Sequence, residues 1–269
     1  MEKYFKLTSE TKVNIFGITL YRLELTVDCR WGKKGDRGGW IESEITPNGD
    51  ARVSGNAWVY GDAQVYGDAQ VSGNAQVSGD AWVYGNAWVS GNAQVYGDAQ
   101  VYGNAQVSGN AQVYGDAQVY GNAQVYGDAQ VYGDARVSGN AQVYGDAQVY
   151  GNAQVYGDAQ VYGDARVSGN AWVYGNAQVS GNAQVYGDAQ VYGNAQVYGD
   201  AWEKSPIQIQ GTRHFFNISS KTTIQIGCIK KTIKEWQEEF KTIGKKAKYT
   251  IEEIEEYGLY IELAVKLSK

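Results

Sequence analysis

"AQVYGDAQVYGNAQVYGD", residues 141–158, decides the fold. The six-residue phrase it repeats fills the chain from Ala51 to Asp200 without a break, 25 times in all. Its positions read Ala, then Gln, Trp or Arg, then Val, then Tyr or Ser, then Gly, then Asp or Asn. Ala and Val stand two apart, so on an extended strand both point to one face and the residue between them to the other. The glycine offers a backbone free to take positive φ, and Asp or Asn tolerates a tight turn. Each hexad is therefore a short strand followed by a corner. Three corners close a triangle, which makes a coil of three hexads. Coils stacked at strand spacing, about 4.8 Å, bury a core of Ala and Val. The repeats give about eight coils and a prism of about 40 Å. An ordinary β-sandwich would need strands and loops of varied length. A right-handed solenoid is the closer structural rival, because periodicity alone does not fix handedness.

Residues 111–140 and 141–170 are identical. Thirty residues are five hexads, which is not a whole number of coils. The copy is thus turned onto different sides of the prism, and Arg136 and Arg166 are expected to face different ways. A binding site built on one face would be scrambled by such a copy. The repeat is expected to supply length and rigidity, with any chemistry elsewhere.

Composition narrows the class. The chain of 269 residues holds 35 Gly without a Gly-X-Y period and only 2 Pro, which argues against collagen and against a disordered linker. No apolar run is long enough to span a membrane, and Met1–Lys6 lacks the apolar stretch of a secretory signal. Cys29 and Cys228 are the two cysteines; they are expected to be reduced thiols in a cytoplasmic protein. Residues 51–200 carry 3 Arg against 12 Asp, a net of −9, whereas residues 201–269 carry 12 basic and 9 acidic groups, a net of +3. Acidic walls repel phosphate backbones, so nucleic acid is not expected as a partner along the repeats.

Several residue groups are candidates for chemistry. His214, in "GTRHFFNI", is the one histidine and has no nucleophile motif beside it; it is read as structural or merely exposed. Asp62, Asp80, Asp98, Asp116 and Asp134 form one column and are read as solvated corners, with no metal site. No catalytic residue and no cofactor are expected. Tyr66, Tyr84, Tyr102 and Tyr120 share one edge, continued after Ser138 by Tyr156, Tyr174 and Tyr192. Such a ladder can bind another copy of itself or a flat ligand, or can shield the corner backbone. Trp58, Trp82 and Trp88 occur early in the hexads and Trp172 and Trp202 late. They are expected to face outward and to be covered by the terminal segments or by a partner subunit. Gln columns on the flat sides are expected to stack through their amides. "GKKGDRGG", residues 32–39, lacks the Gly-Lys-Ser/Thr ending of a phosphate loop and reads as a turn that positions Trp40 and Ile41.

An uncapped coil exposes sheet edges at both ends, and the flanking segments read as the cover. Residues 1–50 form a β-rich N-terminal cap with strand-like runs at "TKVNIFG" and "ITLYRLELTV". Residues 51–202 are the repeat domain. Residues 203–269 form an α+β cap, with strands at "PIQIQ", "HFFNI" and "TTIQIGC", then two helices. Thr232 with Glu235 makes a capping box, Ile233, Trp236, Phe240 and Ile243 an apolar face, and Gly244 a stop. Thr250 with Glu253 opens the second helix, with Ile251, Ile254, Tyr257 and Ile261 inward.

The hexads resemble the hexapeptide-repeat left-handed β-helix family over the whole repeat region. That resemblance implies a mainly β chain built as a left-handed parallel β-helix. It also raises acyl transfer, since family enzymes use a histidine near a projecting loop; no loop interrupts these hexads. The ends, "TLYRLELTVD…KKGDRGGWIESE" and "IQIGCIKKTIKEWQEEFKTIGKKAKYTIEEIEEYGLYI", look like those of hexapeptide-repeat proteins of unknown function from bacteriophages and prophages, some labelled acetyltransferases. The expectation is a non-catalytic, phage-type scaffold in a bacterial cytoplasm that binds a protein partner or another copy of itself, with inhibition of a host defence factor as one use. An acyltransferase-like enzyme, a virion or filament component and an acidic DNA mimic are the alternatives.

Overall fold

The computed structural model describes residues 5–29, 32–43, 48–199, 201–202 and 206–267. Through the repeats each hexad forms a short strand on its outward residue and its valine, and then turns. Each strand lies parallel to the strand one coil later: Gln112 pairs with Gln130, Val113 with Val131 and Tyr114 with Tyr132. Three parallel sheets result, wrapped around one core. The first face runs through Trp58 and Gln76, the second through Gln64 and Trp82, the third through Gln70 and Trp88. The corner that follows each face takes the same ordinal.

The two-residue spacing of Ala and Val does what strand geometry demands. Ala111, Val113 and their equivalents are buried, none more than 4% exposed, and they form one continuous apolar cluster. Burying each valine contributes about 1.5–3 kcal/mol. Backbone hydrogen bonds between coils hold the stack: Gln112 N donates to Ala129 O at 2.9 Å and Asn110 N to Gly127 O at 2.8 Å. Glycine is required at the corner on two grounds. Gly109 has φ +70°, and a Cβ there would sit 2.9 Å from Gly127 N. The identical thirty-residue copies are turned as their length demands. Arg136 pairs with Gln118 and Gln154 on the second face, and Arg166 with Gln148 and Gln184 on the first.

At the N-terminal end, strand β2 (Thr19–Leu25) pairs antiparallel with β1 (Phe5–Val13) on one side and with β3 (Arg37–Ile41) on the other. β3 joins the first face in parallel, with Trp40 opposite Trp58 and Ile41 opposite Val59. The first face thus reaches twelve strands while the other two have nine. "GKKGDRGG" holds the expected turn that positions Trp40 and Ile41, but its last three residues, Arg37 to Gly39, already belong to β3. A Cβ on Gly39 would lie 2.5 Å from Val53 Cγ1 and 2.8 Å from Ala57 O, so the paired glycines let β3 run close over the first coil. Phe5 and Leu7 pack against that end of the core.

At the other end a four-stranded antiparallel sheet follows, with strands Gln208–Gln210, Phe215–Ser220, Thr223–Ile226 and Ile229–Thr232. The last of these is not among the three expected. Phe215 packs against the repeat core, and Asn217 Nδ2 donates to Gln196 O at 2.7 Å. Helices α1 (Ile233–Lys246) and α2 (Ile251–Leu267) cover the sheet. Both expected capping boxes form, at Thr232 with Glu235 and at Thr250 with Glu253.

Three expectations need correction. α1 runs past Gly244 to Lys246. Gly244 is buried where the helices meet, and a Cβ there would lie 2.7 Å from Ile254 Cγ1. Ile251 is 72% exposed rather than inward; α2 buries Tyr257 and Ile261 as expected, and Ala264 with them. Trp202 leaves the hexad frame: it pairs with Val185, and Ala201 with Gln184, so its backbone takes the register of an inward valine. A slip of one residue exchanges the two faces of a strand. Its side chain lies outside the described residues.

Candidate interaction surfaces

The corners carry columns of tyrosine. On the second corner Tyr66, Tyr84, Tyr102 and Tyr120 stack at 4.8–5.0 Å between ring centroids and within 4° of parallel. Tyr156, Tyr174 and Tyr192 continue it at 5.0 and 5.5 Å. Two columns absent from the sequence reading stand beside these. Tyr96, Tyr114, Tyr132 and Tyr150 stack at 4.9 Å on the first corner. Tyr126, Tyr144 and Tyr162 stack at 4.9–5.0 Å on the third. The 18-residue ruler laid along the other two frames finds them.

Stacking decides what these columns can do. Within a column each ring covers the face of the next, so the solvent meets edges and hydroxyls. A sugar or a flat ligand needs an open ring face, and the interior of a column has none. Partial burial pushes the phenols above their ordinary range, as at Tyr96 and Tyr126. At Tyr102 burial comes first, Tyr84 and Tyr120 add to it, and Arg136 opposes it.

The tryptophans lean on the coil before them. Trp82 meets Tyr66 edge-on at 6.2 Å, Trp172 meets Tyr156 at 6.3 Å, and Trp88 Nε1 donates to Ser72 Oγ at 3.2 Å. The terminal segments do not cover them: Trp82 and Trp172 are 39% exposed and Trp88 is 47% exposed. Trp58 is half-buried. The N-terminal segment covers Trp40 instead, which lies under Lys12 at 4.6 Å and Arg22 at 4.9 Å.

Amide ladders run at the corners rather than on the flat sides. Asn74 Nδ2 donates to Asn92 Oδ1 at 3.1 Å, Asn92 to Asn110 at 3.0 Å, and Asn110 to Asp128 at 2.9 Å. Among the described residues no amide-to-amide bond joins the Gln columns. No group of three or more His, Cys, Asp or Glu with the geometry of a metal site occurs among the described residues. No helix there is long and apolar enough to cross a membrane.

The YdcK β-solenoid repeat model matches this chain in overlapping copies over residues 51–121, again at 129–145 and 159–175, and over 177–204. The chain is a β-solenoid repeat protein. No curated protein matches the solenoid chain in sequence. Among solved structures, an Arabidopsis UDP-N-acetylglucosamine acyltransferase aligns at 14% identity with a TM-score of 0.28, over 58% of this chain and 71% of that one.

Beyond its coils the β-solenoid protein presents two apolar features. One is a cavity of about 180 Å³ between the C-terminal sheet and the helices. Ile226, Ile229, Trp236, Phe240, Ile243 and Ile254 line it, and His214 and Cys228 stand at its wall. The structure thus brings together the lone histidine and a free, exposed thiol that lie fourteen positions apart in sequence. No hydrogen bond joins them among the described residues. The backbone of His214 is fixed by Tyr257, whose hydroxyl accepts from His214 N and donates to His214 O at 2.6 Å. The His214 ring tilts against Tyr249 at 5.8 Å. Nearby, Tyr260 donates to Glu256 at 2.7 Å; that bond pushes the phenol up to about 12 and holds the carboxyl below its ordinary range.

The second feature is the tip of the β1–β2 hairpin. Ile15 is 91% exposed and Phe16 70% exposed. The run "TKVNIFG" reads as a strand by alternation, which hid this tip.

Proposed function

We propose that the protein is a non-catalytic spacer and scaffold whose coils set a distance and whose ends engage protein partners or another copy of the chain. One observation carries this reading. The verbatim copy of residues 111–140 at 141–170 puts Arg136 on the second face and Arg166 on the first. A site on one face does not survive that rotation, whereas length and stiffness do. The closed faces of the tyrosine columns support it further, since they leave the corners as walls rather than as ligand shelves. The phage-like ends support a setting in a bacterial cytoplasm, with inhibition of a host defence factor as a use of such a scaffold.

The test is capture of partners from bacterial lysate by two chains, the full protein and a variant lacking one 18-residue coil, 123–140. A partner retained by both supports a spacer with active ends. A partner lost with the coil overturns it and puts the binding site on the repeats. Transfer of an acyl group from acyl-CoA that His214→Ala abolishes also overturns it.

A further inference from the structure

The exposed hairpin tip and the apolar cavity lie at opposite ends of the solenoid, and each is unexplained alone. The tip is a built feature. Asn14 is buried, and its Oδ1 accepts from Phe16 N and from Ile18 N, both at 2.9 Å. Asn14 N donates to Ile18 O at 2.9 Å and Gly17 N to Asn14 O at 3.1 Å. These bonds fix the turn and leave Ile15 and Phe16 in water. Register places the tip beyond the prism: Tyr21 sits opposite Ile41 and Ile41 opposite Val59, so residues 14–18 overhang the first corner. A pre-ordered apolar knob loses little entropy when it is covered.

The cavity has the matching size and chemistry. An apolar cavity of about 150 Å³ takes up benzene, and this one, at about 180 Å³, has room for one phenyl ring. Eight coils, about 40 Å, separate it from the tip of its own chain. A second chain brings the two together, and charge favours the approach. Residues 201–269 carry a net of +3 and the repeats a net of −9, so the C-terminal unit of one copy is drawn to the acidic coils next to the tip of another.

We propose that Phe16 of one copy seats in the C-terminal cavity of the next, joining copies head to tail. The proposal rests on the reading that the ends of the rod engage another molecule. The contact is heterologous, with knob and hole on different surfaces, and such contacts build rings or open chains.

The free thiol of Cys228 at the cavity wall makes the contact trappable. The chain is prepared as Phe16→Cys in a Cys29→Ser background and treated with copper phenanthroline as oxidant. Because Phe16 is mostly exposed, the substitution leaves the fold intact. Covalent dimers and longer species linked between position 16 and Cys228 are expected, and they vanish with Cys228→Ser. In parallel, light scattering on the unmodified protein is expected to show a mass that rises with concentration above the 29.4 kDa of one chain. Phe16→Asp weakens that association about tenfold or more. Crosslinks that persist with Cys228→Ser mean tip-to-tip pairing and overturn the proposal. So does a mass of one chain at every concentration, or association unchanged by Phe16→Asp, which would point to another surface such as exposed Leu259 and Leu263 on α2. None of these failures touches capture of a host partner by the coil-shortened chain, so the spacer reading is judged separately.

Discussion

At the scale of the residue, the corner glycine is the least replaceable position in the hexad. Alanine keeps the volume small and the polarity unchanged, so any loss comes from backbone and space. The left-handed conformation costs a non-glycine residue about 1–2 kcal/mol. At Gly109 the added Cβ also meets backbone nitrogen of the next coil at 2.9 Å, where neither atom can yield without opening the stack. Gly109→Ala is therefore expected to lower stability by more than about 2 kcal/mol in urea unfolding. Ser108→Ala, one position earlier and off the core, is expected to stay within about 0.5 kcal/mol. Equal effects at the two sites would remove the stacking argument.

At the scale of the element, the tyrosine columns and the C-terminal helices answer pH in opposite directions. Phenols such as Tyr66, Tyr96 and Tyr144 are held above their ordinary value, chiefly by burial. Their neutral form is the one the columns favour. The stability they contribute is full below about pH 10, the ordinary phenol value, and is lost as pH rises through the raised values. Glu235 is held low by Thr232, Glu252 by its own backbone and Thr250, and Glu256 by Tyr260. Their contribution is present above about pH 4.3, the ordinary glutamate value, and is lost as pH falls through the lowered values. Acid titration followed by circular dichroism is expected to remove helical signal before strand signal. Alkaline titration is expected to remove strand signal together with the rise of tyrosinate absorbance. The reverse order at either end would show that the caps and columns do not set these limits. The same elements show why part of the structure escaped the sequence. The first capping box was legible because Thr232 and Glu235 have one geometric use. The inward face of α2 was legible at Tyr257 and Ile261 but not at its first turn, because Ile251, Leu259 and Leu263 repeat at helical spacing just as Ile254, Tyr257 and Ile261 do. Gly244 gives one signal for two causes, a helix stop and a close helix contact, and here the contact prevails.

At the scale of the whole molecule, strict repetition made the coils legible from end to end, because one buried pair of Ala and Val sets the register of all three sheets. Legibility fails where the repeat fails. Trp202 slips by one where the hexads end, and the tip at Ile15 and Phe16 follows no period at all. If the coils are additive units, whole hexads can be removed and fractions of one cannot. Deletion of 123–140 removes one coil and returns every residue to its own face. Deletion of 141–170 removes five hexads and turns everything above by a third of a turn. Deletion of 141–169 leaves one residue too many, exchanges inward and outward positions in the junction strand, and breaks the frame. The first two variants are expected to keep the strand spectrum and a cooperative melt, and the third to lose both. The native thiols supply the ruler, since Cys29 lies in the N-terminal segment and Cys228 in the C-terminal sheet region. With spin labels on both, the first deletion is expected to shorten the axial component of their separation by about 4.9 Å, the coil spacing of the tyrosine columns. The second shortens it by about 8 Å, one and two-thirds coils, and also changes its lateral component. A shortening that does not scale with the hexads removed would mean that the ends, rather than the coils, determine the length of the rod.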